Sequence, residues 1–301
     1  MSLFRFISYL NKHKPNIVLS TLTNVNMISF AANFFSKTKV KLFLRIAIPE
    51  SKQAEMKASS KFMFLLNSFF YRVVSKSAIP LIAVSESVKK DLVEKFNIPK
   101  ERITTIYNPV DILGVLKRSR ESIFHKWFKE KTPIILSIGS LTFRKNYMTL
   151  IKAFYLLRKK IKAKLIILGQ GPEKEKLERS ISILNLDKEV DLPGFFINPH
   201  AYIARCAVYV SSSLYEGCGN TLTEAMVLNV PIVATNGGGS SEELLEYGKW
   251  GRIVPACDEK ALSDAILATL QEKEKKDLHQ RAHDFRLEEI GEQYLKTMGL
   301  Q

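Results

Sequence analysis

Short apolar runs alternate with helix-spaced stretches along most of this chain. Residues 16–20, 40–46, 81–85 and 102–107 read as buried strands. Between them, 3–13, 25–35, 54–75 and 86–96 carry helical spacing, and Ser85 is placed to cap the last of these. A charged connector follows over 113–131. The alternation then resumes, with strands at 133–139, 164–168, 208–210, 231–234 and 251–255. Helices are expected at 147–160, 198–204, 220–228 and 259–269, and one charged helical tail at 274–298 with Phe285, Ile290 and Tyr294 as its buried side. Strand–helix alternation on both sides of a connector predicts an α/β protein of two parallel-sheet, Rossmann-like domains. Their expected bounds are 1–116 and 132–285.

The densest chemistry lies at 211–243, S-S-S-L-Y-E-G-C-G-N-T-L-T-E-A-M-V-L-N-V-P-I-V-A-T-N-G-G-G-S-S-E-E. It reads as strand end, tight loop, helix, strand and glycine loop, with Asn220 or Thr221 as the helix cap. Gly217 and Gly219 let the backbone turn close to a ligand. The first turn of the helix leaves amides unpaired, and its dipole adds partial positive charge, so the loop can hold an anion without a basic side chain. Glu216 and Glu224 frame this site as ionised acceptors for sugar hydroxyls. The expected ligand is a nucleotide diphosphate sugar lying across the helix start.

The two glutamates with glycines between them, followed by E-A-M and P-I-V-A-T, resemble the retaining glycosyltransferases of family 4, which have the GT-B fold: two Rossmann-like domains facing a cleft. The segments A-V-S-E-S-V-K-K-D-L and I-Y-N-P-V-D resemble the end of that family's acceptor domain. The resemblance implies that Glu224 takes the ribose and Glu216 the donor sugar. Gly217, Cys218, Gly219, Asn220, Thr221 and Leu222 would hold the phosphates. Lys145 matches the family's phosphate-binding lysine. Ser140 stands where the family usually has arginine, and Arg144 could replace the lost charge. Gly169 and Gly171 form the glycine turn beside the nucleotide, and the segment ending at Phe195 meets the base through its backbone. Glu216 and Lys145 are the expected catalytic pair. The final helix, about 286–301, would cross back onto the first domain. The plan needs no metal and no cofactor, the nucleotide diphosphate sugar being a co-substrate.

Two departures matter. The family's first domain begins with an earlier strand and glycine loop, whereas only four strands are legible here before the connector, so the domain is expected to be truncated at its N-terminus. The family's histidine after the second strand is not legible, and Arg45 and Ala47 occupy that stretch. The main expectation is sugar transfer to a glycan or lipid-linked acceptor in bacterial surface polysaccharide or glycolipid synthesis. The alternatives are a truncated, non-catalytic nucleotide-sugar-binding module that needs a partner chain, and a glycoside hydrolase using Glu216 and Glu224.

Composition narrows this further. The length of 301 residues, 46% hydrophobic, suits two ordinary soluble domains. The formal net charge is +15, and residues 1–116 hold 17 Lys and Arg against 7 Asp and Glu, hence 17 − 7 = +10. No zinc, recognition-helix or RNA-binding signature accompanies that charge, so nucleic acid is not the expected partner. A basic first half suits an anionic membrane surface, and the segment 61–76 is either a membrane-surface helix or a core helix. Cys206, Cys218 and Cys257 lack metal or redox spacing, which fits a reducing cytosol. Cytoplasmic placement at the inner membrane face is the expectation.

Overall fold

The computed structural model describes residues 2–52, 60–237, 239–274 and 276–300. The start of the helix expected over 54–75, and Gly238 of the glycine run, lie outside them. The chain divides into two compact units, Met1–Asn108 with Ile290–Gln301, and Pro109–Glu289.

In the first unit, β1 (Ile17–Thr21), β2 (Lys41–Ile46), β3 (Leu81–Ala83) and β4 (Ile103–Thr105) form a parallel sheet in that order. β2 is central and buries Leu42, Leu44 and Ile46 on one face. On the other face Phe43 joins Ile82 and Ile106 beneath Ile290 and Met298 of the C-terminal helix Leu287–Met298. The helices α1 (Leu3–His13), α2 (Thr23–Phe35), α3 (Ser60–Lys76) and α4 (Glu86–Phe96) fill the connections. Ser85 caps α4 by accepting the Val88 amide at 3.2 Å, and Asn97 ends it in the left-handed region. α3 resolves its two readings by side: Phe70, Tyr71 and Val74 are buried, while Leu65, Phe69 and Val73 face solvent.

In the second unit, β5 (Ile134–Ile138), β6 (Lys164–Leu168), β7 (Val190–Gly194), β8 (Val208–Ser211), β9 (Ile232–Thr235) and β10 (Arg252–Val254) form a parallel sheet of order β10-β9-β8-β5-β6-β7. Successive strands step outward from β5 on one side and from β8 on the other. The chain direction therefore reverses between β5 and β8, and the loops at their carboxyl ends diverge to leave a crevice, the usual ligand position in such sheets. The helices of this unit are α5 (Ile112–Ser119), α6 (Tyr147–Leu157), α7 (Lys174–Ile183), α8 (His200–Ile203), α9 (Asn220–Val227), α10 (Ser240–Leu244), α11 (Glu259–Gln271) and α12 (His279–Ala282). Phe154 and Leu150 of α6, Ile266 of α11 and Ile135 and Val210 of the sheet share one core.

Two boundaries differ from the sequence reading. The units part at Asn108 and Pro109 rather than after 116, because α5 rests on α8 and α9 and buries Val115. The tail is not one helix. Arg286 is extended, pairs with Val110 in an isolated bridge, and leaves the Phe285 carbonyl to accept the Val110 amide at 2.7 Å. Phe285 accordingly belongs to the second unit, under Arg281, while Ile290 belongs to the first.

The strand ends beside the crevice allow almost no added atom. Gly169 has φ +152°, and a Cβ there would stand 1.9 Å from the Gly139 carbonyl oxygen. Gly169→Ala is expected to cost about 2–4 kcal/mol, from backbone strain plus a clash with main chain that cannot rotate away. Gly248→Ala supplies the comparison, since Gly248 also has positive φ (+104°) but nothing within 4 Å. It should cost about 1 kcal/mol. Urea unfolding of both variants checks this, and equal losses would show that the close approach of the loops is unimportant.

Candidate functional site

The two loops at the crevice are stitched together by main-chain contacts. The Leu214 amide donates to the Arg144 carbonyl at 2.8 Å, and the Ser212 hydroxyl donates to the Lys145 carbonyl at 2.8 Å. Thr235 donates to the Ser213 carbonyl at 2.7 Å from the next strand. The serines of the run at 211–213 are therefore structural; Ser213 has a second role.

These stitches bring Lys145 and Arg144 onto Glu216. Lys145 Nζ donates to Oε1 at 2.5 Å, Arg144 donates to Oε2, and the Ser213 hydroxyl adds a bond to Oε1 at 2.7 Å. Glu216 is 7% exposed. Burial pushes its carboxyl pKa up, but Lys145 and then Arg144 outweigh burial, and the group lies below its ordinary value. It is a fixed anion between two cations. Each carboxylate oxygen can accept two bonds, so Oε2, which carries Arg144 alone, keeps room for a ligand hydroxyl. Arg144 is braced by the Tyr215 ring, 5.7 Å from its guanidinium carbon.

The loop after Glu216 carries the amides. Gly219 is the helix cap of α9, with no side-chain bond, so neither Asn220 nor Thr221 caps it. Asn220 is already helical, and the Thr221 hydroxyl instead accepts from Tyr209 at 2.6 Å. Burial raises the Tyr209 pKa, which keeps that donor protonated. The turn consumes two of the expected nitrogens: Asn220 N–H donates to the Cys218 carbonyl at 3.0 Å, and Leu222 N–H to the Gly219 carbonyl at 2.9 Å. Among the described residues, the amides of Gly217, Gly219 and Thr221 have no such partner. They form a shorter row of free donors than 217–222.

Beside this row, Ser140, Gly169 and Phe195 meet around a cavity of about 270 Å³, closed by Gln170, Phe196 and Pro199. Gly171 does not line it. That glycine lies against Leu141, where a Cβ would be 2.3 Å from the carbonyl oxygen. Glu224, the fifth of the eight residues of α9, faces His200, whose Nε2 lies 3.5 Å from Oε1. Neither His200 nor Arg118 behind it was marked by the sequence, where Arg118 is 82 positions from the histidine and no local pattern joins them. Among the described residues, no group of three or more His, Cys, Asp or Glu could hold a metal ion.

Two parallel-sheet α/β units, the second with a crevice of amides, two cations and two carboxylates at its reversal point, define the GT-B architecture. The profile of the family described as Glycosyl transferases group 1 matches residues 119–284, and that of Glycosyltransferase Family 4 matches 2–112. The chain belongs to the family of glycosyl transferases group 1. It is 29% identical over 252 residues to an N-acetylgalactosamine-N,N'-diacetylbacillosaminyl-diphospho-undecaprenol 4-alpha-N-acetylgalactosaminyltransferase of Campylobacter jejuni, a match covering 83% of this chain and 66% of that one, just under two thirds. It is 24% identical to the capsular polysaccharide biosynthesis glycosyltransferase CapM of Staphylococcus aureus, over 88% of this chain and 70% of that one. Among solved structures, HepE of Anabaena in complex with UDP superposes with a TM-score of 0.81 at 18% identity, over 99% of this chain and 82% of that one. At that identity the likeness speaks for the fold.

Proposed function

We propose that the protein transfers a sugar, with its anomeric configuration retained, from a nucleotide diphosphate sugar to a glycan or lipid-linked acceptor in surface polysaccharide or glycolipid synthesis. The observation that carries the reading is the buried pairing of Lys145 and Arg144 on Glu216, beside the free amides of Gly217, Gly219 and Thr221. An incoming diphosphate meets both cations and the start of α9, where its charge is favoured. As the bond to the sugar breaks, negative charge grows on the leaving diphosphate. Donors already aimed at it stabilise that charge more than they stabilise the bound donor. Glu216 holds the cations in place before binding and offers its spare Oε2 position to a hydroxyl of the donor sugar. Glu224 takes the ribose, and the base lies in the cavity edged by Gly169 and Phe195. The reading assigns charge neutralisation to these side chains and amides, with no cofactor beyond the co-substrate.

A hydrolase would need one carboxyl held protonated to act as acid. Glu216, pulled below its ordinary range, is unsuited to that role. The names of the relatives, a diphospho-undecaprenol glycosyltransferase and a capsular polysaccharide glycosyltransferase, favour a lipid-linked or polysaccharide acceptor. Cytoplasmic placement at an anionic membrane face fits the basic first half, whose surface exposes Phe4 at 81% and Phe34 at 70%. Among the described residues no helix is long and apolar enough to cross a membrane.

Because HepE was solved with UDP, uridine diphosphate is the first ligand to test, followed by the guanosine and adenosine forms. Calorimetry should show binding of one of them, and the matching nucleotide sugar should release nucleoside diphosphate on incubation with the protein. A folded chain that binds none of the three overturns the proposal.

A further inference from the structure

We infer that His200 is a positioning residue for Glu224, held in its working tautomer by Arg118. The inference rests on the reading that Glu224 receives the ribose hydroxyls. His200 opens α8, where its backbone amide donates to Asn198 Oδ1 at 3.2 Å, and it is 7% exposed. Its Nδ1 lies 3.3 Å from Arg118 Nε. A guanidinium can only donate, so Nδ1 presents a lone pair and the ring proton sits on Nε2. That N–H faces Glu224 Oε1 across 3.5 Å, close enough for electrostatic attraction and too long for a hydrogen bond of ordinary geometry.

Nε2 has no hydrogen-bond partner, although it is buried. The Glu224 carboxylate likewise accepts no hydrogen bond among the described residues. A core-filling side chain would be expected to be apolar at such a place, since a buried donor without an acceptor is unfavourable. Here the unmatched donor points at the carboxylate the proposed ligand must meet. The histidine is fixed from two sides. Asn198 Nδ2 donates to the Arg118 carbonyl at 2.9 Å, so the end of α5 and the start of α8 are tied to each other, and α5 also rests on α9. The remaining slack closes when Glu224 takes up ligand, as active-site contacts commonly tighten on binding. One carboxylate oxygen then belongs to His200 and the other to the ribose.

The test compares the binding of a ribonucleoside diphosphate with that of its 2′,3′-dideoxy form by calorimetry, using whichever of the uridine, guanosine or adenosine diphosphates binds best. Thermal melting verifies that each variant is folded. His200→Phe should cut the preference for the ribo form roughly tenfold and leave affinity for the dideoxy form unchanged. His200→Gln, whose amide N–H can occupy the place of Nε2, should restore most of the preference. In a Glu224→Gln background, His200→Phe should have no further effect, because its action passes through the carboxylate. Equal loss for both ligands, or a full additional loss in the Glu224→Gln background, overturns the inference and leaves the ribose reading intact. An unchanged ribo preference in Glu224→Gln alone removes the ribose reading, and the role of His200 with it.

Discussion

Replacement of Lys145 by alanine is expected to lower turnover about 100- to 1,000-fold in a protein that remains folded at neutral pH. The Lys145 side chain is 15% exposed against 27% for that of Arg144, so its charge is less screened by water. Its stem crosses Gly139 so closely that a Cβ there would come within 2.6 Å of Cε. The crevice floor therefore confines the path of this side chain to Glu216. Glu216 would keep Arg144 and Ser213 as partners, which limits the loss of stability. Arg144→Ala should cost less, about tenfold, because its side chain is more exposed and the bond from the Leu214 amide to its backbone carbonyl survives the substitution. Release of nucleoside diphosphate under saturating donor measures both effects. Turnover of Lys145→Ala within threefold of the parent protein would remove the lysine from the mechanism.

The sequence displayed the parts of this site that lie close together along the chain. Glu216, Gly219 and Glu224 sit in one loop–helix unit, so the glycine loop and helix start could be read locally as an anion site at the start of α9. Ser85 showed itself as a cap because capping is decided within four residues. What stayed hidden depends on pairings across the fold. Lys145 and Glu216 meet only because β5 and β8 are neighbours in the sheet. The sequence reading placed both cations on a diphosphate, yet in the folded chain their first partner is a carboxylate. The hydrogen bonds that consume the Asn220 and Leu222 amides come from the particular geometry of the turn, which composition does not encode. The tail read as a single helix because its charge pattern is continuous, and its break at Arg286 follows from a bridge to Val110, distant in sequence. α7 was passed over for a different reason: of its ten residues only Leu177 and Ile181 are buried, too few to stand out as a periodic stripe.

Replacement of Glu216 by glutamine is expected to act on stability and turnover together, and the two can be separated by pH. At neutral pH the variant places an amide between two half-buried cations, whose charges lose their counterion. The expected destabilisation is about 3 kcal/mol, in the range for breaking a buried ion pair from one side. Turnover should fall at least 100-fold, because the cations are no longer held apart in fixed positions and the donor sugar loses its acceptor. The pH dependence follows from the direction of the shift. The folded-state carboxyl lies below its ordinary value, mainly because the two cations outweigh burial. Its stabilising effect is therefore complete above the ordinary carboxylate range and disappears as pH falls through the lowered folded value. The difference in melting temperature between parent and variant should be constant from about pH 8 to pH 5 and should narrow below about pH 4. A difference that stayed the same down to pH 3 would mean that the ionised carboxylate is not what holds Lys145 and Arg144 in the crevice.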